Sequence, residues 1–234
     1  MKRDYFISVA MATYNGEKYI REQLESILKQ LNEDDEIIIS DDGSTDNTIN
    51  IIKSFEDKRI KIFHGPHNGV KQNFANAIYN CTGKYIFLSD QDDIWCNNKV
   101  NIVLKNFEKE KCMCIVHDCI VFDSNNNDNI YDSFYKYRNS GSGIIKNIWK
   151  NTYIGCCMAI DAMIKNIILP IPNNIEMHDQ WIGLLCEKKS KSLFINDKLI
   201  NYRRHNDNVT NMKHYSLWKM IKNRVKIMIE LIRR

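Results

Sequence analysis

The chain has 234 residues, 44% of them apolar, and a formal net charge of +4; this is material for one full α/β core and excludes a disordered chain. From Asn211 onward seven bases stand against Glu230 alone, so that segment carries +6 and the remaining body −2. The body gives no reason to propose nucleic acid as a partner, while the basic segment calls for a local anionic surface.

The start, MKRDYFISVAMA, has a basic end and an Ala10-Met11-Ala12 triplet in the manner of a signal peptide. Its apolar run is short, Asp4 interrupts the entry and Thr13-Tyr14-Asn15-Gly16 follows as a turn, so residues 6–12 read as a first strand. A helical pattern of Tyr19, Ile20, Leu24, Ile27, Leu28 and Leu31 comes next. Residues 36–40 (EIIIS) repeat the theme: the turn Asp41-Asp42-Gly43-Ser44 follows, then a helix through Ile49, Ile52 and Phe55. A third unit is the strand 60–64, a loop 65–69 and a helix 70–79; a fourth strand, 84–89, stops at Asp90, Asp92 and Asp93. Beyond it we expect a helix at 98–110, a strand at 112–118, an Asn/Asp-rich surface loop (SNNNDN) and a strand at 154–160 with Gly155 at its entry. A helix at 178–187 opening with His178-Asp179, short strands at 193–195 and 198–202, and a helix at 215–232 complete the chain. No stretch approaches the roughly 18 apolar residues of a membrane span.

Alternating strands and helices with short links predict a mainly parallel, doubly wound sheet with helices on both faces, its polar loops gathered at the strands' carboxyl ends. With neither an internal repeat nor a Pro/Gly linker, residues 1–212 read as one domain and 213–234 as a helical appendage. The first half has neither GxxxxGK[ST] nor GxGxxG, so phosphate must be handled by other means. The segment YIFLSDQDDIW supplies one: Asp90 and Asp92 at a strand end can turn toward a single point, and their mutual repulsion asks for a cation, with hard oxygens suiting Mg2+ or Mn2+.

The eight cysteines hold no CxxC pair, and Cys112, Cys114, Cys119, Cys156 and Cys157 fall in apolar, strand-like segments, which predicts buried thiols in a reducing compartment. A zinc site from Cys112, Cys114 and His117 is the sharper alternative, on a spacing that fits no common template. Four polar groups remain: Asp41/Asp42, Asp90/Asp92/Asp93, Asp179, and His205 within YRRHNDNVT. Each has an ordinary structural explanation, since Asp42 and Asp46 make turns and N-caps, Asp92 or Asp93 can cap the next helix and Asp179 its own. Together, at loops expected to share one sheet edge, they point to a site.

The segments ISVAMATYNGEKYIREQLESIL, IIISDDGSTDNT, FLSDQDDIW and HDQW follow one another as do the motifs of the family 2 glycosyltransferases, which this chain resembles over nearly its whole body. Of those enzymes it is most similar to bacterial rhamnosyltransferase-like members that build surface polysaccharides. The resemblance implies the GT-A fold and a donor nucleoside, from a dTDP- or UDP-sugar, held by Thr13, Tyr14 and Asn15 and by Asp41 and Asp42. It places the DxD element on Asp90-Gln91-Asp92, with Asp92 on the metal and Asp90 at the ribose or a metal-bound water; Asp93 braces the loop. His205 aligns with a late histidine that in some members completes the metal shell, and Arg203 and Arg204 beside it can meet a diphosphate bidentately. The family's catalytic base lies in an acidic pair, commonly Glu-Asp, at a helix start. This chain has His178-Asp179 there, which keeps Asp179 as the candidate base and leaves His178 without a family role.

What is implied is an inverting, metal-dependent transfer to a saccharide or lipid-linked acceptor, in the cytoplasm or at the inner face of the cell membrane. Leu217, Ile221, Val225, Met228 and Ile232 share one face of the last helix, with Trp218 beside it and Lys219, Lys222, Lys226 and Arg233 around it. Such a helix suits an anionic membrane surface, or else packs on protein. The rivals are a metal-dependent phosphatase or nucleotidyltransferase, although Thr13-Tyr14-Asn15 stands where a phosphatase's aspartyl nucleophile belongs, and a non-catalytic nucleotide-sugar binding subunit.

Overall fold

The computed structural model describes residues 3–126, 128–205 and 216–234. Strands β1 (Ile7–Thr13), β2 (Glu36–Asp41), β3 (Ile60–His64) and β4 (Tyr85–Ser89) are linked by helices α1 (Ile20–Leu28), α2 (Thr48–Lys53) and α3 (Gly69–Asn80). All three pairings among these strands are parallel, in the order β3-β2-β1-β4. Every residue of β1, β2 and β4 is buried, whereas β3 at the sheet edge is half-exposed. This is why the three inner strands read as continuous apolar runs: a parallel strand covered on both faces has no solvent side to mark with polar residues. Helix α1 buries Ile20, Leu24 and Ile27 at the spacing of one helical face. It packs with α2 and with β5 (Ile94–Trp95), while α3 lies over β1 and β2.

The second half continues the same sheet with α4 (Lys99–Lys109), β6 (Cys114–Asp123), β7 (Asn129–Tyr131), α5 (Phe134–Arg138), α6 (Ile144–Trp149), β8 (Met158–Asp161), α7 (Lys165–Ile168), α8 (His178–Lys189), β9 (Ser192–Arg204) and α9 (Leu217–Arg233). Antiparallel β8 joins β4 to β6, and the full order is β3-β2-β1-β4-β8-β6-β9-β5 with β7 on β6. Here three expectations change. The single strand expected at 154–160 is a 3-10 turn, Gly155–Cys157, followed by β8, and the two short strands expected after residue 192 are one, β9. β9 stays continuous because register shifts at His117/Asp118 and Asp118/Ile120 of β6 absorb its irregularity, and β6 itself runs five residues past the expected end at 118.

Seven of the eight thiols are buried, all are unbridged, and Cys112, Cys114 and His117 form no metal cluster among the described residues. Helix α9 docks by a narrower seam than its sequence stripe: Ile227 and Leu231 are buried, while Trp218 and Ile232 are 83% and 81% exposed, with Ile221, Val225 and Met228 also on the surface. Polar contacts fix that docking, including Lys188 Nζ on the Leu231 carbonyl, Asn223 on Glu176 and Arg224 on the Trp149 carbonyl. No helix among the described residues is long and apolar enough to cross a membrane.

Candidate functional site

The carboxyl ends of β1, β2 and β4 lie side by side in the sheet, and the first wall of the site there is built around Asp41. Its Oδ1 accepts from the Gly43 and Ser44 amides at 3.1 and 2.8 Å, and its Oδ2 accepts from the hydroxyls of Thr13 (2.8 Å) and Ser44 (2.6 Å). Thr13 and Asp41 thus shape the loops. Asn15, in the left-handed region at φ 48°, donates its amide to Ser44 Oγ and accepts the Thr45 amide on Oδ1, both at 2.8 Å. Asp42 takes the Gly69 amide on Oδ2 at 2.9 Å, and its Oδ1 is buried without a hydrogen-bond partner. That oxygen and the exposed Tyr14 ring are the parts of this wall that remain for a ligand.

Gln91, the middle residue of DQD, ties this wall to the next: its Oε1 accepts the Tyr14 amide at 2.9 Å and its Nε2 donates to the Tyr14 carbonyl at 3.0 Å. Gly16 makes room for it, since a Cβ there would lie 2.3 Å from Gln91 Oε1. Gln23 holds the strand end beneath, donating to Ser89 Oγ at 2.8 Å and to the Asp90 carbonyl at 2.9 Å.

The acidic loop after β4 meets the end of β9. Asp92 Oδ2 lies 2.8 Å from His205 Nε2, and the imidazole rests against the Tyr19 ring at 4.8 Å. Asp93 is fully buried; its Oδ1 accepts the Arg203 amide at 3.0 Å and its Oδ2 has no hydrogen-bond partner. Arg203, expected at a diphosphate, is buried as a brace. Its Nε donates to the Asp92 carbonyl at 2.8 Å, its Nη2 pairs with Glu22, and its guanidinium lies 4.8 Å from both the Tyr19 and Phe122 rings. Arg204 is half-exposed beside His205.

Electrostatics mark the same place. Burial, then the charges of Asp92 and Asp179, push Asp90 up to about 7, and burial with Asp92 and Asp90 raises Asp93 well above the carboxylate range. The buried Lys99 ammonium, lowered to about 8 by desolvation, donates to the Cys156 carbonyl at 2.9 Å and lies 4.0 Å over the Trp95 ring. Several carboxylates at one point, with one buried carboxylate oxygen unpartnered and an imidazole at hand, form a donor set that fits a divalent cation.

Asp179 enters from α8. Burial lifts its carboxyl to about 6, against hydrogen bonds from the Gln180 amide at 2.5 Å and Asn151 Nδ2 at 3.2 Å. The Gly155–Cys157 turn lies between this helix end and the acidic loop: Cys156 groups with Asp90 and Asp93, and a Cβ on Gly155 would sit 2.8 Å from His178 Nε2. His178 is buried and stacked on Phe74 at 4.1 Å; desolvation holds it down at about 3, and neither ring nitrogen has a hydrogen-bond partner. Asp92, on the loop after β4, and Asp179, in the first turn of α8 and 87 residues later in sequence, both act on Asp90 to raise its pKa. Gln91, Gly16, Lys99 and Cys156 were not among the expected site residues. Only Gly16, next to the asparagine of a tight turn, carried a sequence signal.

The family model described as glycosyl transferase family 2 matches residues 8–168. The chain is 31% identical over 217 residues, 85% of its length and 72% of the other's, to a Shigella flexneri protein named dTDP-rhamnosyl transferase RfbG. It is 25% identical, over 92% of its length and 83% of the other's, to the Escherichia coli UDP-Glc:alpha-D-GlcNAc-diphosphoundecaprenol beta-1,3-glucosyltransferase WfgD. In fold it is similar to Staphylococcus aureus TarS 1-349 in complex with UDP-GlcNAc, with a TM-score of 0.76 at 17% identity. It is also similar to the mannosyltransferase PcManGT of Pyrobaculum calidifontis in complex with GDP-Man and Mn2+, with a TM-score of 0.68 at 15% identity. The matches cover 97% and 100% of this chain and 66% of each of those solved chains.

Proposed function

The chain belongs to glycosyl transferase family 2, with a GT-A-like fold, and on that premise we propose that it is an inverting, divalent-metal-dependent transferase. It moves a sugar, rhamnose foremost, from a dTDP- or UDP-linked donor to a saccharide or lipid-linked saccharide in surface polysaccharide synthesis. The observation that carries the reading is the convergence of the Asp92–His205 pair and of Asp179 on Asp90.

In this reading the acceptor hydroxyl is a poor nucleophile until a base takes its proton. Asp179, at about 6, is ionised at neutral pH yet basic enough for that work. Asp92 and His205 would hold Mg2+ or Mn2+, which neutralises charge on the departing diphosphate. Asp42 and Tyr14 contact the nucleoside, Thr13, Asn15 and Asp41 hold their loops in place, and Asp90 faces the ribose. Arg204, beside His205, approaches the diphosphate, and Arg203 supports the loop from beneath. A single displacement on one face of the sugar inverts the anomeric carbon without an enzyme-bound intermediate. The raised Asp179 favours this over a non-catalytic binding subunit, which has no use for a tuned base.

In this proposal residues 1–212 are the transferase domain, with the boundary itself outside the described residues, and 213–234 are a basic appendage whose described part is α9. The exposed Trp218 and Ile232, among Lys219, Lys222 and Lys226, suit the anionic inner face of the cell membrane, where a lipid-linked acceptor would lie. The deciding experiment is a thermal-shift panel of nucleotide sugars with and without Mn2+, followed by turnover with any stabilising donor. A panel in which no nucleotide sugar stabilises the protein, with or without Mn2+, would reject the proposal.

A further inference from the structure

Between β7 and the end of α5 the chain spends four aromatic residues, Tyr131, Phe134, Tyr135 and Tyr137, and they divide into two inner and two outer ones. The Tyr135 hydroxyl donates to the Val116 carbonyl at 2.7 Å, and Phe134 packs against the core. Tyr131 and Tyr137 stack on each other at 3.9 Å with 17° between their planes, and Tyr137 stays 44% exposed. The stack rests on a fixed support: buried Asp118 accepts the Ser133 hydroxyl at 2.5 Å and the Tyr135 amide at 2.9 Å, which holds the start of α5.

Sheet topology sets where this pair stands. β6 runs the same way as β4, because β8 is antiparallel to both, so its last residues lie at the sheet edge where Asp90 follows β4. There β9 occupies one edge of β6, with Val121 opposite Tyr202 and Phe122 opposite Arg203. β7 must then pair on the other edge, the one that β8 covers lower down, and Tyr131 sits opposite Val121 in the column next to β4. From α5, Arg138 Nη2 donates to the Asn151 carbonyl and Asn151 Nδ2 donates to Asp179, both at 3.2 Å. Two hydrogen bonds thus join the residue after Tyr137 to the proposed base. A saccharide has an apolar C–H face and a polar hydroxyl rim, and an open tyrosine ring matches both, the ring covering the first and the phenol reaching the second. We propose that Tyr131 and Tyr137 form the platform on which a neutral pyranose of the acceptor stacks, so that one of its hydroxyls is presented to Asp179. This rests on the transferase reading and adds to it the residues that select the acceptor.

The test uses the full chain with Mn2+ and UDP or dTDP present, and takes as probes a panel of methyl glycosides of hexoses, deoxyhexoses and N-acetylhexosamines, with binding read by saturation-transfer NMR. We expect at least one glycoside to bind, Tyr137→Ser to bind it roughly 5–10-fold more weakly, and Tyr137→Phe, which keeps the ring, to bind nearly as wild type does. In the unaltered protein the same glycoside should slow nitration of Tyr137 by tetranitromethane and leave Tyr79, 69% exposed on α3, unprotected. That arm decides the matter even if a variant does not fold. A panel without a binder would overturn the proposal, as would Tyr137→Ser binding as tightly as wild type or a bound glycoside that leaves Tyr137 nitration unchanged. Stabilisation by a nucleotide sugar with Mn2+ reads the transferase proposal separately. A donor shift without glycoside binding sinks the platform alone, whereas protection of Tyr137 without any donor shift sinks the transferase reading and leaves a saccharide site.

Discussion

Asp179→Asn exchanges a buried charge for a neutral group of the same shape, and its effects on stability and on transfer have opposite signs. Asp179 is 8% exposed, and burial lifts its carboxyl from the ordinary 3.8 to about 6. A shift of about 2 units corresponds to roughly 3 kcal/mol. Because the folded state holds the proton to higher pH than the unfolded chain, stability falls as pH rises from about 4 to about 6, and the full penalty persists above that. Asparagine carries no such penalty. The stability difference between variant and wild type should therefore be near zero at pH 4 and reach about 2–3 kcal/mol in favour of the variant at pH 8, or roughly 4–12 °C in Tm. Part of the gain arises at Asp90, which no longer faces a second charge from α8. Transfer should fall by about 10²–10⁴-fold, the ordinary contribution of a general base. The assays are urea unfolding from pH 4 to 8 with chelator present, and donor turnover with Mn2+ at saturating acceptor. Parallel stability curves for the two proteins, or a variant that keeps more than about a tenth of the turnover, would refute the reasoning.

Asp92→Asn should remove the Mn2+-dependent part of donor stabilisation, about 2.7 kcal/mol at a ligand concentration of 100 Kd; a Mn2+ shift as large as in wild type would contradict the assignment. Gly16→Ala places a Cβ 2.3 Å from Gln91 Oε1 and should raise the donor KM about tenfold through loss of the paired hydrogen bonds. Adding Gln91→Ala should relieve the clash, and a KM unmoved by Gly16→Ala would show that this contact does not shape the donor site. Trp218→Ser combined with Ile232→Ser, both exposed, should reduce flotation with anionic liposomes without lowering Tm, and high salt should reduce it further because each base near such a surface contributes about 1 kcal/mol. Equal flotation of variant and wild type would reject the membrane contact.

The parallel half of the fold was legible because its strands are apolar along their whole length and its turns are marked by Asn15-Gly16, Asp41-Asp42-Gly43 and the DQDD run. The acidic groups were legible for the same reason: carboxylates that end buried strands stand out against apolar neighbours. The Gly155–Cys157 turn was not, because Ile154, Cys156, Cys157 and Met158 are apolar in either conformation and periodicity has no alternation to read. The burial of Arg203 depends on Glu22, 181 residues earlier in the chain, and on two aromatic rings that no local pattern connects to it. In α9 the stripe of Leu217, Ile221, Val225, Met228 and Ile232 reads as one face suited either to a membrane surface or to packing on protein. The docked seam is instead Ile227 and Leu231, one turn apart, because the polar partners on α8 and around residues 170–176 fix the helix's rotation.

The N–H and the C=O of Tyr14, which belong to two successive peptide units, are both held by one glutamine amide. The loops after β1 and β4 are thereby coupled mechanically, since neither can lift without losing two bonds together. Adaptation to differently shaped nucleobases must then come from side chains such as the exposed phenol of Tyr14, over a backbone rim that keeps its path.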